Sequence, residues 1–410
     1  MWICAVFFFG ALGFAQTTLT FWAGDDEPGL EKLFRLYEQE NPGVKLELEV
    51  VPYDSYTQKI VAAARTNTLP NVLLLQPKVP VTFAQRGVLE PVTALVEELG
   101  GTSEFSQRDL GFNTLEGEVW GVPLYTYPHV LFYRKSALDE AGLAAPQTWQ
   151  DFKAVAEAVN REGMFGYLAF FNDPVAHTLH QWMATNDADT FDKDLNIVFD
   201  SANTLETLQF LKDLWKAGVI PPGATTYTQD EPRVSFINNQ GAMIITSTSF
   251  LADIVEQAPE LADDIGITHI PTNKGKLTYY SFRSIGIAKG SPNREASEAF
   301  IRWLFEADKL ATYFATTTLG YMPMTRSLQE SDAYWQSEAI APYAPLIRPA
   351  LEAARTGYFP GLNEQINPYA GLFETQGIYT DVLSDIIVDE LEPSEAAARA
   401  VAKMEEVMGR

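Results

Sequence analysis

The sequence predicts an α/β protein built from two domains, and three observations predict it. The chain has 410 residues, more than a single hydrophobic core ordinarily serves. Strand and helix patterns alternate between Thr18 and Leu75, the order that builds a largely parallel sheet with right-handed crossovers. An abrupt change of pattern follows Tyr133, where an apolar, tyrosine-rich run gives way to Arg134-Lys135 and a fresh series of helices.

The elements follow in order. "TLTFWA" (Thr18 to Ala23) predicts the first strand. Asp25, Asp26 and Glu27 beside Pro28 open a helix. Leu30, Leu33, Phe34 and Tyr37 repeat along it at i, i+3, i+4, i+7, and Asn41-Pro42-Gly43 stops it. "VKLELEV" alternates, with Leu46, Leu48 and Val50 on one face, and a helix runs from about Ser55 to Arg65. "NVLLL" is a continuous apolar run, the pattern of a strand buried on both faces. Past Tyr133, Thr148-x-x-Asp151 resembles a capping box for a helix carrying Trp149, Phe152, Ala156 and Val159. Leu205, Leu208, Leu211 and Trp215 mark another helix. "GAMIITSTS" is a buried strand ending in hydroxyls, and "IGITHIP" and "SIGIAKG" are further strands. "SPNREASEAFIRWLFEADKLATYFATTTLG" predicts one long helix closed by Gly320, and the tail adds two more, from about Thr375 and from Ser394.

Composition narrows the class. Hydrophobic residues make up 46% and charged residues 20%, as in ordinary globular domains. Lys+Arg number 29 against Asp+Glu 54, a net charge of -25 that repels nucleic acid and anionic membrane surfaces. No basic stripe with interleaved aromatics offsets it, so no nucleic-acid partner is expected. Met1 to Ala15 is uncharged, almost wholly apolar and too short to span a bilayer. Gly13-Phe14-Ala15 supplies the small-x-small pattern of a signal-peptidase cut with Gln16 as the new N-terminus. A buried first strand is the blander reading, and the missing polar alternation counts against it. No Lys or Arg precedes the run, so a start upstream of Met1 fits the pattern as well. Cys4 is the single cysteine and precedes most of the apolar run, which argues against a lipid anchor there. A cut after Ala15 removes it, and with it disulfides and thiol chemistry.

In such sheets ligands bind outside the carboxyl ends of the strands. Those ends carry Trp22 to Asp26 and Gln76-Pro77, with Tyr56 opening the helix between. No GxSxG, HExxH, P-loop or GxGxxG is present. Asp25, Asp26 and Glu27 offer carboxylates for glycoside hydrolysis, but adjacent residues at a helix start point apart and complement the helix dipole. His177 and His180 share a helical face without a clear third ligand, so neither metal nor cofactor is expected. Tyr279-Tyr280 reads as a strand with one ring inward and one outward.

Six segments then carry a resemblance: "LTFWAG", "FRLYEQENPGVKLELEVVPYDSYTQKI", "GEVWGVPLYTYPHVLFYRKSALDEAGLAAPQTWQDF", "NNQGAMIITS", "GIAKGSPNREASEAFIRWL" and "LGYMPMTRSL". In this order, and over nearly the whole chain beyond the signal segment, the sequence resembles the extracytoplasmic solute-binding proteins of bacterial ABC importers, the family of maltose-binding and other sugar-binding proteins. The resemblance implies the type II periplasmic-binding-protein fold, two discontinuous α/β lobes joined by hinge segments. Lobe one is expected over 16–126 and 284–322, lobe two over 127–283 and 323–410. The crossings fall at "PLYTYPHV", "YYSFRS" and "GYMPMT". It further implies a periplasmic binder, not an enzyme, that takes a sugar or oligosaccharide between its lobes and delivers it to an inner-membrane permease. A monomer is expected.

Sugars present C–H faces and hydroxyl rims, so their sites need flat aromatic surfaces and a few fixed hydrogen-bonding groups. The expected contacts are Trp22, Tyr56 and Gln76 from lobe one, Trp182, Ser247 and Thr248 from lobe two, and Tyr127, Arg283 and Tyr321 from the crossings. The blander reading of each aromatic is a core residue, and that of Arg283 is an inter-lobe ion pair. "GAMIITSTSFLADI" and "GYMPMT" also resemble the glycerol-3-phosphate-binding branch, with Ser247-Thr248, Tyr56 and Tyr321 at its ligand positions. The chain departs from that branch in lacking an acidic residue at Gln76-Pro77-Lys78 and an arginine in "FPGLNEQINPYAGLFETQ". A missing arginine removes the bidentate group best suited to phosphate. An uncharged sugar is therefore favoured over a phosphorylated polyol, and a secreted glycoside-acting enzyme is the rival of another class.

Overall fold

The computed structural model describes residues 16–24, 29–77, 79–275, 278–358 and 369–410. The predicted signal segment with Cys4, the acidic helix start Asp25 to Glu27, Lys78 and all of "FPGLNEQINP" lie outside the described residues.

Strand β1 (Thr17–Gly24), helix α1 (Leu30–Glu40), strand β2 (Val44–Val51), helix α2 (Tyr53–Thr66) and strand β3 (Val72–Leu75) appear in the predicted order. β1 runs parallel to both β2 and β3. Alternation along β1 divides its side chains between two cores: Leu19, Phe21 and Ala23 on one side, Trp22 on the other. Phe21 meets Phe34 of α1 and Phe300 edge-on, with centroids 5.3 and 6.1 Å apart.

Strand β4 (Leu89–Glu90), helix α3 (Gln107–Gly111) and strand β5 (Val122–Thr126) lead to the first crossing, and strand β6 (His129–Arg134) opens lobe two. Helix α4 (Trp149–Val159) begins with the predicted capping box of Thr148 and Asp151. Helices α5 (His177–Ala184), α6 (Ala202–Lys216) and α7 (Asp230–Ile237), strand β7 (Met243–Ser247), helix α8 (Phe250–Gln257) and strand β8 (Ile265–Thr268) follow. β6 lies antiparallel between β7 and β8.

The chain returns through strand β9 (Phe282–Ala288) to helices α9 (Arg294–Leu304) and α10 (Ala307–Phe314), then leaves through strand β10 (Met322–Pro323). Helix α11 (Ala344–Ala354) lies against β8 of lobe two, and helices α12 (Ile378–Ile387) and α13 (Pro393–Val407) close on α6.

Two expectations are corrected here. The lobe-one sheet has the order β10-β5-β9-β3-β1-β2, with β4 beside β9. Only β1, β2 and β3 are parallel, because β9 comes back across the hinge and pairs antiparallel with β3, β4 and β5. The single long helix is two: Glu306 is extended at φ -62 and ψ 137. The break lets Phe300 and Trp303 reach Tyr37 while Tyr313 reaches Tyr125.

Phe282 and Arg283 already pair with Thr126 and Tyr125 in the lobe-one sheet. After Pro323 the chain first packs on lobe one, Tyr334 edge-on to Phe314 at 5.9 Å, before α11 passes to lobe two.

Candidate ligand site at the crossings

The three crossings lie side by side. The Thr126 hydroxyl and the Tyr127 N–H both donate to the Ser281 carbonyl, at 2.8 and 2.9 Å. Met322 and Pro323 pair with Thr126 and Tyr125. Strand alternation then sorts the side chains onto two faces. On one face Tyr125 stacks on Tyr321 at 4.4 Å, and Tyr127 lies 5.3 Å from Tyr321. The Arg283 guanidinium sits 5.0 Å over the Tyr127 ring and donates to its hydroxyl. Three expected residues, Tyr127, Arg283 and Tyr321, are thus brought together around Tyr125.

The lobe-two wall beside them is built by the end of β7. Ser247 Oγ accepts from Arg233 Nη2 at 2.8 Å and shares a 2.6 Å hydrogen bond with Ser249 Oγ. Arg233 Nε donates to Thr246 Oγ1 at 3.1 Å, and its Nη1 lies 3.5 Å from Asp253. Thr248 is spent on architecture: its hydroxyl donates to the Gly320 carbonyl at 2.7 Å and its N–H to the Pro128 carbonyl at 3.0 Å. These bonds clamp the strand end to the first and third crossings.

His129 pairs across the ladder with Ser247. Its ring stacks on His177 at 5.0 Å, Tyr279 meets both rings edge-on, and Gln181 contacts its Nδ1 at 2.7 Å. His177 Nδ1 lies 2.5 Å from Asp173 Oδ2. Burial holds the His129 pKa well below the usual imidazole range, and the neighbouring His177 and Arg233 oppose a further positive charge.

The other expected residues lie elsewhere. Trp22 is 8% exposed and packs in the lobe-one cluster with Tyr56, Lys59 Nζ lying 4.4 Å over its ring. The Tyr56 hydroxyl donates to the Trp22 carbonyl at 2.7 Å. Gln76 is partly exposed at the end of β3, its carbonyl accepting from Val79 N–H. Trp182 lies in the lobe-two core. It has no exposed surface, meets Trp149, Phe152, Tyr167 and Phe210 edge-on, and donates to the Tyr167 hydroxyl at 3.3 Å. The fold turns the His177 and Gln181 side of α5 toward His129 and the Trp182 side into the core. Tyr279 and Tyr280 are both buried rather than one in and one out, because their two sides face two different packed surfaces. Arg233 and Asp173 were not singled out from the sequence; the i, i+4 spacing of Asp173 and His177 was the one available signal.

The opposite face of the crossings, with Thr126, Tyr280 and Met324, lines a separate cavity of about 380 Å³ that contains none of the expected ligand residues. Among the described residues no three His, Cys, Asp or Glu side chains cluster as metal ligands, and no helix is long and apolar enough to cross a membrane.

Two α/β lobes, joined by three crossings that gather tyrosines and an arginine, define a two-lobed binding protein. The chain belongs to the bacterial extracellular solute-binding protein family, whose sequence model matches residues 32–342. Members of this family are binding proteins rather than enzymes. A binding protein of Brucella abortus (strain 2308) is 23% identical over 403 residues, 97% of this chain and 93% of its own. The arabinooligosaccharide-binding protein of Halalkalibacterium halodurans is 24% identical over 328 residues, 75% of this chain and 71% of its own. The GacH receptor of Streptomyces glaucescens, solved unliganded and with acarbose, matches with a TM-score of 0.80 at 20% identity, over 96% of this chain and 98% of its own. That likeness establishes the fold, the type II periplasmic-binding-protein architecture expected from the sequence.

Proposed function

We propose that this protein is the substrate-binding component of an ABC importer, capturing a sugar or oligosaccharide between its lobes. The observation that carries the reading is the tyrosine platform at the crossings, Tyr127 and Tyr321 backed by the fully buried Tyr125, set beside the polar wall of Ser247, Arg233 and the His129–His177 pair. Stacked rings accept the C–H face of a sugar, and fixed donors and acceptors take its rim. The arabinooligosaccharide-binding relative and the acarbose complex of the GacH receptor support this solute class. The ligand contacts both lobes at once and so shifts the population toward the closed form, which an inner-membrane permease recognises. The apolar segment ending at Ala15 exports the chain to the periplasm, where it works as a monomer and releases its solute chemically unchanged.

The test is mass spectrometry of the solute carried by gently purified protein. It is paired with calorimetric titration of maltose, arabinotriose, N,N′-diacetylchitobiose and sn-glycerol 3-phosphate. One-to-one binding of an intact sugar, with a smaller radius of gyration in X-ray scattering, is the expected result. Turnover of the sugar, or scattering curves that superimpose with and without it, sinks the reading.

A further inference from the structure

We infer that Arg233 determines which sugar the site accepts, by gripping two oxygens on adjacent carbons of one sugar ring. The inference rests on the carbohydrate reading above and assigns it a chemical specificity: a neutral vicinal diol.

A guanidinium offers five N–H donors in a fixed planar fork. In Arg233, Nε–H goes to Thr246 Oγ1 at 3.1 Å, one Nη2 hydrogen to Ser247 Oγ at 2.8 Å, and one Nη1 hydrogen to Asp253 at a long 3.5 Å. Nη1 and Nη2 each retain one N–H with no partner among the described residues. The side chain is 15% exposed, so those donors sit in a nearly dry setting where hydrogen bonds are strong and direction counts. Thr246 and Ser247 belong to β7, and the Arg233 guanidinium lies 5.4 Å over the Phe250 ring of α8. The fork is therefore held before any ligand arrives. Its partner Ser247 lies opposite His129 in the ladder, and the next residue, Thr248, is bonded to Gly320 beside Tyr321, which places the fork between the histidine pair and the tyrosine platform.

The shared chemistry such a fork reads is a pair of adjacent acceptor oxygens, from a diol or from a phosphate. Asp253 decides between them. A sugar hydroxyl both accepts and donates, so a guanidinium and a neighbouring carboxylate satisfy it together. A phosphate dianion only accepts, and Asp253 repels it. Arg233 thus gives the site a guanidinium from a position that the sequence did not point to, yet its setting favours a neutral ring.

The experiment titrates wild type, Arg233→Lys, Arg233→Met and Asp253→Asn with maltose, arabinotriose, N,N′-diacetylchitobiose and sn-glycerol 3-phosphate. For the sugar that wild type binds, we expect at least a thirtyfold loss in Arg233→Met and at least tenfold in Arg233→Lys, which keeps the charge but not the fork. Asp253 is partly exposed, so Asp253→Asn preserves the fold; it loses several-fold in sugar affinity and gains relative affinity for glycerol phosphate. Sugar binding within threefold of wild type in both Arg233 variants overturns the inference alone. So does an unchanged sugar-to-phosphate preference in Asp253→Asn, a result that stands even if the Arg233 variants do not fold. Wild type that binds no sugar overturns the carbohydrate reading and this inference with it.

Discussion

Tyr321 and Trp182 are both large aromatics in the region of the crossings and lobe two, but their surroundings give them different roles. Trp182 is enclosed by other aromatic rings, whereas Tyr321 stacks on Tyr125 within the electrostatic reach of Arg233. Trp182→Ala should cost about 3–5 kcal/mol of folding stability, as large-to-small core changes do, with sugar affinity little changed in the fraction that folds. Tyr321 is itself 5% exposed and packed against Tyr125 and Tyr127, so Tyr321→Ala should also lower the melting temperature, but unlike Trp182→Ala it should weaken sugar binding at least tenfold, about 1.4 kcal/mol, in the folded fraction. Thermal melts and calorimetric titrations on the same preparations separate the two, and the opposite pattern would return Trp182 to the site. His129 makes a second residue-scale prediction. It is buried against His177, Tyr279 and Gln181 with Arg233 nearby and Asp173 beyond His177, and its folded pKa is depressed. The unfolded chain takes up this proton near pH 6.5, about the ordinary value. Stability is therefore full above that pH and falls as the pH drops through it, by up to about 1.4 kcal/mol per unit. Urea unfolding at several pH values between 8 and 5 should show this slope in wild type and a shallower one in His129→Gln; equal slopes would rule out His129 as its source.

Among the elements, the end of β7 and the third crossing meet most closely at Gly320. Its φ is +95, and a Cβ there would lie 2.0 Å from the Thr248 carbonyl oxygen. The left-handed backbone alone costs an alanine about 1–2 kcal/mol, and the contact forces the strand end away from the crossing. Gly320→Ala should therefore lower the urea midpoint and weaken sugar binding together. An unaffected midpoint would mean the two elements can part freely. The elements themselves were largely legible where local pattern decides: the heptad-like stripe of α1, the capping box of Thr148 and the all-apolar β3 needed no long-range knowledge. The parallel reading of the first sheet failed at β9, whose direction is set by the chain's return across the hinge. The break at Glu306 has no Pro or Gly to announce it, since packing against Tyr37 and Tyr125 decides it. In α5 every residue from Thr178 to Ala184 is buried, so periodicity assigns no outer face, and Trp182 could not be told from a cleft residue. Arg233 lies on a helix of mixed pattern, "DEPRVSFI". Its role emerges only once the fold sets Thr246 and Ser247 beside it. The tyrosines of the crossings were readable because the family's segment order placed them.

At the scale of the whole molecule, a clamp that closes in front must separate behind its hinge. The rear face of the crossings carries a tie between the lobes. Arg108 of α3 donates through Nη1 to the Ala354 carbonyl at 2.7 Å, at the end of α11, which lies on lobe two. The same guanidinium stacks 4.3 Å over the Tyr280 ring and pairs with Asp109 at 2.9 Å, while the Tyr280 hydroxyl donates to Asp109 at 3.0 Å. The tie borders the cavity of about 380 Å³ on the face away from Tyr125, Tyr127 and Tyr321. Closure that parts the rear surfaces would break this contact, so the tie is expected to oppose closure. Arg108 is partly exposed, and Arg108→Met keeps its packing over Tyr280 while removing the reach to Ala354. The variant should bind sugar several-fold more tightly, a gain of about 1 kcal/mol, and its ligand-free radius of gyration should move toward the closed value. Calorimetry and X-ray scattering on the same sample decide it. Weaker binding with an unchanged ligand-free radius would show that the tie serves only local packing, because a residue on the far side of the crossings can reach the solute only through the angle between the lobes.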